Sequence, residues 1–235
     1  MHSAALPEHS AALPECRRRR ALAAALSGFL LAACAQQPAP PLPAREAAVL
    51  EANRRAEAQV RSGNPLGAAR YYAEALRLAQ SIEDTEGIAA NAINLSIVYQ
   101  RLGKYAEARA SLAPLLDQGR LTFPPGRLAQ AALRRAILDL DERSYASAAE
   151  WIERAASHCG ACALSGAIQN VKAQLALEAG NADAAAASAR AALAASRGSG
   201  ERAEAANALR LLGVTAVRAG DAAAALASFE QALAI

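Results

Sequence analysis

From Arg45 onward apolar residues recur every three or four positions, the spacing of one helix face, and short polar turns interrupt them. The stretch Asn94 to Leu112 shows the plan most clearly. Leu95, Ser96 and Tyr99 share one side of a helix before Gly103, and Tyr105, Ala108 and Leu112 answer from a second helix after it. Ser96 is small enough for another helix backbone to come close, Gly103 ends the first helix, and Tyr105 opens the next with a ring that plugs the turn. Such a hairpin cannot bury its apolar side alone. It needs copies of itself as neighbours.

The copies are present. Gly63 opens GNPLGAARYYAEAL, Gly103 opens GKYAEARASLAPLL, Arg143 opens RSYASAAEWIERAA, Gly180 opens GNADAAAASARAAL and Gly220 opens GDAAAALASFEQAL, at intervals of 40, 40, 37 and 40 residues. Five residues after each turn stands an alanine: Ala68, Ala108, Ala148, Ala185 and Ala225. Four later come Tyr72, Leu112, Ile152, Ala189 and Phe229, and alanine returns at Ala75, Ala155, Ala192 and Ala232. Small residues at this spacing let helices pack closely enough to stack, so the expected fold is all-α.

These segments resemble tetratricopeptide repeats, whose pattern is W-x2-L-G-x2-Y followed by A-x3-F and often P. Leu95-Ser96-x2-Tyr99 with Ala108-x3-Leu112 carries the likeness in the second repeat, and Leu212-Gly213-x2-Ala216 with Ala225-x3-Phe229 in the fifth. No Trp opens a repeat, the closing Pro is missing, and Arg55, Arg135 and Lys172 stand where Leu is usual. The period near 40 resembles the subgroup with longer helices and a polar link such as Ser81 to Glu86. The resemblance implies a right-handed α-α superhelix, a solenoid of about five helix-turn-helix repeats over residues 47–235, with the first helix of each pair lining a concave groove.

Register then divides the side chains. Ile93, Ile97 and Arg101, with Asn94 beside them, face the groove from the second repeat; Asn53 and Glu57, Arg134 and Ile137, Asn170 and Gln174, and Arg210, Val214 and Arg218 hold equivalent places. This mixture of amides, arginines and aliphatics suits a peptide or helix with apolar anchors and some acidic character. Repeats of the family that clamp a peptide's terminal carboxylate draw lysines, asparagines and an arginine from three repeats. Asn94 and Arg134 match that set, but Ile93, Ile97 and Gln130 do not, so capture of a chain end is not expected.

The N-terminus reads as targeting sequence rather than fold. Residues 1–16 contain HSAALPE twice and look like a dispensable extension; residues 17–33 place Arg17 to Arg20 before the apolar run Ala21 to Leu31. About 13 apolar residues are too few to span a bilayer. Leu31-Ala32-Ala33-Cys34 resembles a bacterial lipobox, which implies a signal peptide cut before Cys34 and acylation of that cysteine. Ala35 rather than Asp follows it, which in lipoproteins of bacteria with two membranes implies the periplasmic face of the outer membrane. Residues 34–46 then hold four prolines between Pro38 and Pro43 and read as a stiff tether.

Composition narrows the function. Aromatic residues are only 4% while apolar residues reach 54%, much of it alanine, which favours thin helix–helix seams over one deep core. The formal charge of +3 falls to about +1 without the N-terminal arginines and two glutamates, leaving no electrostatic case for nucleic acid. No catalytic constellation or phosphate loop is visible, and no cofactor or metal is expected. Asp139, Asp141 and Glu142 beside Arg143 read as a solvated helix end. Pro114 should kink or shorten its helix, and Pro124-Pro125 should open the next. His158-Cys159-Gly160-Ala161-Cys162 leaves three readings open: a local disulfide or idle thiols, thiol exchange, or metal binding.

The expectation is a lipid-anchored periplasmic scaffold that binds protein or peptide partners of the bacterial envelope. The type IV pilus pilotins and the repeat lipoprotein of the outer-membrane β-barrel assembly machinery share this plan of anchor plus repeats. A thiol oxidoreductase at Cys159 and Cys162 is the alternative from another class. The last helix, Ala222 to Ile235, carries Leu226, Phe229 and Leu233 with no polar helix after it, so homo-oligomerisation through this end is a further expectation.

Overall fold

Every turn picked out by the sequence joins two helices. The computed structural model describes residues 43–235 apart from Gln118 and Ala161; the extension, the signal segment, Cys34 and nearly all of the tether lie outside the described residues. Among these residues ten α-helices and no strand occur. They are α1 (Ala44–Arg61), α2 (Pro65–Ser81), α3 (Thr85–Arg101), α4 (Tyr105–Leu116), α5 (Pro125–Asp141), α6 (Tyr145–Cys159), α7 (Ser165–Glu178), α8 (Ala182–Ser199), α9 (Arg202–Arg218) and α10 (Ala222–Leu233). They form five antiparallel hairpins, and the first helices α3, α5, α7 and α9 also touch in succession. The fold is an all-α helical-repeat solenoid.

One turn geometry is used five times. The backbone N–H groups of Asn64, Lys104, Ser144, Asn181 and Asp221 donate to the carbonyls five residues back, at Gln59, Tyr99, Asp139, Ala176 and Ala216. This is the Schellman closure, which places the preceding residue in the left-handed region. Glycine occupies that place four times, at φ of 71° to 79°, while Arg143 holds it at φ 60° against the steric preference of a side chain. The chain then re-enters helix at once, and the side chains of Asn64, Asn181 and Asp221 cap the new helix by accepting an N–H from three residues on.

Seam packing follows from the small residues. Ala68, Ala108, Ala148, Ala185 and Ala225 are buried on the second helices, and Ala56, Ser96, Ala136, Ala173 and Gly213 are buried on the first. At Gly213 an added Cβ would lie 2.5 Å from the Phe229 ring, so the ring fills the volume a side chain would need. Pro114 lies inside α4, which has 12 residues against 17 in α3 and in α5, and Pro125 is the first residue of α5.

Three apolar clusters follow one another along the stack, the first from Val49 to Leu138, the second from Ala132 to Val171, the third from Ala173 to Leu211. Their junctions coincide with polar ties. The acidic group read as a solvated helix end is one of them and must be corrected: Asp139 is buried, 3% exposed, while Asp141 and Glu142 remain at the surface. Both Asp139 carboxylate oxygens accept from Arg135 Nε at 3.1 Å, and Oδ2 also accepts from Ser147 at 2.6 Å. Asp139 occupies the register of Tyr99, so a charge satisfied by two donors replaces a ring at that turn.

Candidate functional site

The helix face with the strongest claim to bind a ligand lies between α3 and α5. Ala90, Ile93 and Asn94 from α3 and Arg127, Gln130, Leu133, Arg134 and Ile137 from α5 enclose an open cavity of about 280 Å³. Four expected groove residues from two successive repeats, Ile93, Asn94, Arg134 and Ile137, thus meet at one place. Positions 127, 130, 134 and 137 recur at helical spacing on α5, which is why one stripe supplies half the lining. Ile97 is half-buried and Arg101 exposed one and two turns further along α3.

Polar groups around the cavity are unequally satisfied. Arg127 donates through Nε to Glu86 at 2.7 Å and through Nη1 to Gln130 at 2.8 Å. Gln100 donates to Asp141 and so ties the far ends of the same two helices. Arg134 is different: its Nε and Nη2 are buried and have no acceptor among the described residues. Burial pushes its guanidinium below its ordinary value, attraction to Asp141 acts the other way, and repulsion from Arg101 adds to the lowering. It remains a cation at neutral pH, since guanidinium does not release its proton in proteins.

Other expected groove residues have different duties. Asn170 is buried, and its Nδ2 donates to the backbone oxygen and the carboxylate of Glu204 at 3.0 and 2.8 Å, so it ties α7 to α9. Arg218 Nη1 donates to the Leu177 carbonyl at the end of α7. Val214 is half-buried against the third cluster, and Arg210 is turned onto Asn207 of its own helix at 3.1 Å. Glu57 lies 3.8 Å from Arg61 in the exposed part of α1; Asn53 and Gln174 are half-buried. The register reading missed Arg127 and Leu133. The signal was present, because Arg127 falls on the stripe that contains Arg134 and Ile137, and Leu133 stands one turn before Ile137.

Cys159 and Cys162 are joined by a disulfide, with Cα atoms 5.2 Å apart. Cys159 ends α6, the pole of a helix that disfavours a thiolate, whereas a reactive dithiol sits at a helix start. Cys162 and Leu164 line a second open cavity, of about 360 Å³, with Glu86, Pro124, Gly126, Arg127 and Gln130. Arg127 and Gln130 line both this cavity and the one at Arg134. No group of three metal-ligating side chains occurs among the described residues, and no helix among them is long and apolar enough to cross a membrane.

Comparison with known proteins agrees with this architecture. One family model described as tetratricopeptide repeat matches residues 46–117, and a second of the same description matches residues 93–162 and 170–235. The solved structure of BtubC (BKLC) from P. vanneervenii is similar at 18% identity and a TM-score of 0.59, over 81% of this chain and 90% of that one. MamA from Desulfovibrio magneticus RS-1 is similar at 16% identity and a TM-score of 0.53, over 79% and 93% of the two chains. At these identities the likeness is one of fold. No curated protein matches the chain.

Proposed function

The chain belongs to the tetratricopeptide repeat family, a family of protein-interaction repeats, and from that premise we propose that it is a scaffold holding a protein or peptide partner against its first helices. The observation that carries this reading is the cavity in which Ile93, Asn94, Arg134 and Ile137 come together from two repeats. Aliphatic walls supply area for anchors, and amide and guanidinium groups fix orientation. No chemistry of its own is assigned to it.

The lipobox-like Leu31-Ala32-Ala33-Cys34 and the proline-rich tether support the finer proposal that the scaffold is carried by acyl chains at Cys34 on the periplasmic face of an outer membrane, where it serves envelope assembly. Self-association through α10 belongs to the same proposal and is supported by the exposed Leu226 and Leu233.

A photo-crosslinking residue at Ile97 of the full chain, expressed in its own cells, should trap a discrete partner. The same residue at exposed Glu150 on α6 should not. Equal trapping from both sites would remove the groove. Cys34→Ser should release the protein from membranes, and unchanged membrane association would remove the anchor. A monomeric mass at high concentration would remove self-association.

A further inference from the structure

The first and fifth repeats differ in what they turn outward. On the first helices, the place twelve residues before each turn is a seam position: Asn91, Ala131, Ile168 and Ala208 hold it in the second to fifth repeats, and all are buried. In the first repeat Glu51 holds it instead, exposed and paired with Arg55 at 3.0 Å and Arg54 at 3.4 Å. The outer side of α1 is therefore closed by charge, as the outer repeat of a stack needs. The fifth repeat does the reverse. Val217 is 59% exposed, whereas Leu140 and Leu177 in the same place are 6% and 4% exposed. Leu233 is 88% exposed, whereas Leu76 in its place is 9% exposed and Leu116, Ala156 and Leu193 are half-buried.

We infer that the α9–α10 face pairs with the same face of a second copy, about a two-fold axis that runs between the two helices along their length, giving a closed dimer. This rests on self-association through α10 and specifies its surface, its partner and its symmetry. Arg210, Val214 and Val217 form one stripe on α9, and Leu226, Glu230 and Leu233 form one on α10, each at i, i+4 and i+7. The two helices are antiparallel about Gly220, so residues equally far from that glycine lie level: Arg210 with Glu230, and Val214 with Leu226. Within one copy the level charges are not joined, because Arg210 is turned onto Asn207 Oδ1 at 3.1 and 3.0 Å. The two-fold axis lays α9 of each copy along α10 of the other and keeps the levels. Arg210 then meets Glu230 of the second copy and Val214 meets its Leu226, and each contact is made twice. Head-to-tail stacking would instead press the apolar side of α10 onto Glu51 and its arginines, removing three charges from water without offering them a partner. The charged outer side of α1 thus stops growth at two copies.

Two readouts test the pairing. A photo-crosslinking residue at Leu233 of the full chain, expressed in its own cells, should trap a species of twice the chain mass, while the same residue at Glu51 should trap no second copy. For the purified chain, Arg210→Glu and Glu230→Arg should each raise the dimer dissociation constant at least about tenfold, since each places two like-charged pairs in the interface. The double variant restores opposite charges across the axis and should return to within about threefold of the native value. Circular dichroism should show unchanged helix content in all three, because both side chains are exposed. Losses that add in the double variant would overturn the two-fold pairing. Crosslinking from Glu51 equal to that from Leu233, or masses that grow beyond two copies with concentration, would overturn it too while leaving self-association standing. A monomeric mass at high concentration, with no crosslink from Leu233, would remove both.

Discussion

Adjacent hairpins are joined in two different ways, and the difference shows what holds the stack together. At the ends the joints are tight. Between α2 and α3 only Ile82, Glu83 and Asp84 intervene, with Glu83 at φ 54° and Asp84 N–H bonded to the Ala79 carbonyl. Between α8 and α9 only Gly200 and Glu201 intervene, with Gly200 at φ 75° and Glu201 N–H bonded to Ser196. These joints repeat the closure used inside each hairpin, so backbone hydrogen bonds fix how one repeat follows the next.

The two joints flanking the third hairpin lack that closure, and side chains take over. Between α4 and α5 the chain runs through positions 117–124, and Phe123 turns inward to become 7% exposed in the first apolar cluster. Between α6 and α7 the disulfide shortens the span, Leu164 N–H donates to Cys162 Sγ at 3.3 Å, and Lys172 reaches Glu153 at 2.8 Å. Tyr145 adds a bond from its hydroxyl to Glu178 at 3.0 Å. The middle repeat is thus held by contacts that substitution or reduction can remove one at a time. The Arg134 cavity lies across one of these joints.

The sharpest way to break the comparison is to remove one side-chain plug from each kind of joint. Phe123→Ala should cost about 3 kcal/mol, the usual range for a buried aromatic, and Ile82→Ala at the tight joint about half as much, since Ile82 is only half-buried and backbone bonds remain. Chemical denaturation measures both. Equal losses would mean that the two kinds of joint do not differ in what holds them.

Reducing the disulfide, or replacing it in Cys159→Ser with Cys162→Ser, should cost about 2 kcal/mol, the small figure that suits so short a closed loop. Faster amide exchange should be confined to the end of α6 and the start of α7, next to the second cavity. Exchange spread evenly over all five hairpins would contradict a local fastening. The tight joint predicts the opposite sign. Glu83→Gly relieves a side chain held at positive φ and should stabilise by about 0.5–1 kcal/mol, as should Arg143→Gly inside the third hairpin.

The sequence makes this division legible only in part. Five turns, their spacing and the buried alanines follow from local rules, because glycine at positive φ and small residues at a seam are needed whatever the neighbours are. Phe123 sits in a stretch without helical periodicity, and nothing local says that it turns inward. Asp139 was misread for a related reason: its neighbours Asp141 and Glu142 are exposed, and only the donors Arg135 and Ser147, one before it on α5 and one on the next helix, make its burial tolerable. Asn170 and Arg218 were assigned to a groove by register alone, whereas Glu204 and the Leu177 carbonyl hold them in the seam between the fourth and fifth repeats. Register gives the helix face of a residue; its partner across the seam decides whether that residue is free.

The smallest effect separates the loose joint's polar ties from its apolar plug. Glu86 on α3 accepts from Arg127 on α5, and this hydrogen bond, opposed by burial and aided by the Arg127 charge, holds the Glu86 carboxyl below its ordinary 4.5. A carboxyl with a depressed folded value stabilises fully above the ordinary value and loses that contribution as the pH falls through the folded one. Glu86 is largely in water, so the gap between the native chain and Glu86→Gln should stay below about 1 kcal/mol at neutral pH. That gap should close in acid, while the difference between the native chain and Phe123→Ala should not change, because no titrating group contributes to it. If both differences shrank together, the joint would be yielding as one unit rather than as a plug with a separable ion pair, and the cavity beside Arg134 would open with it.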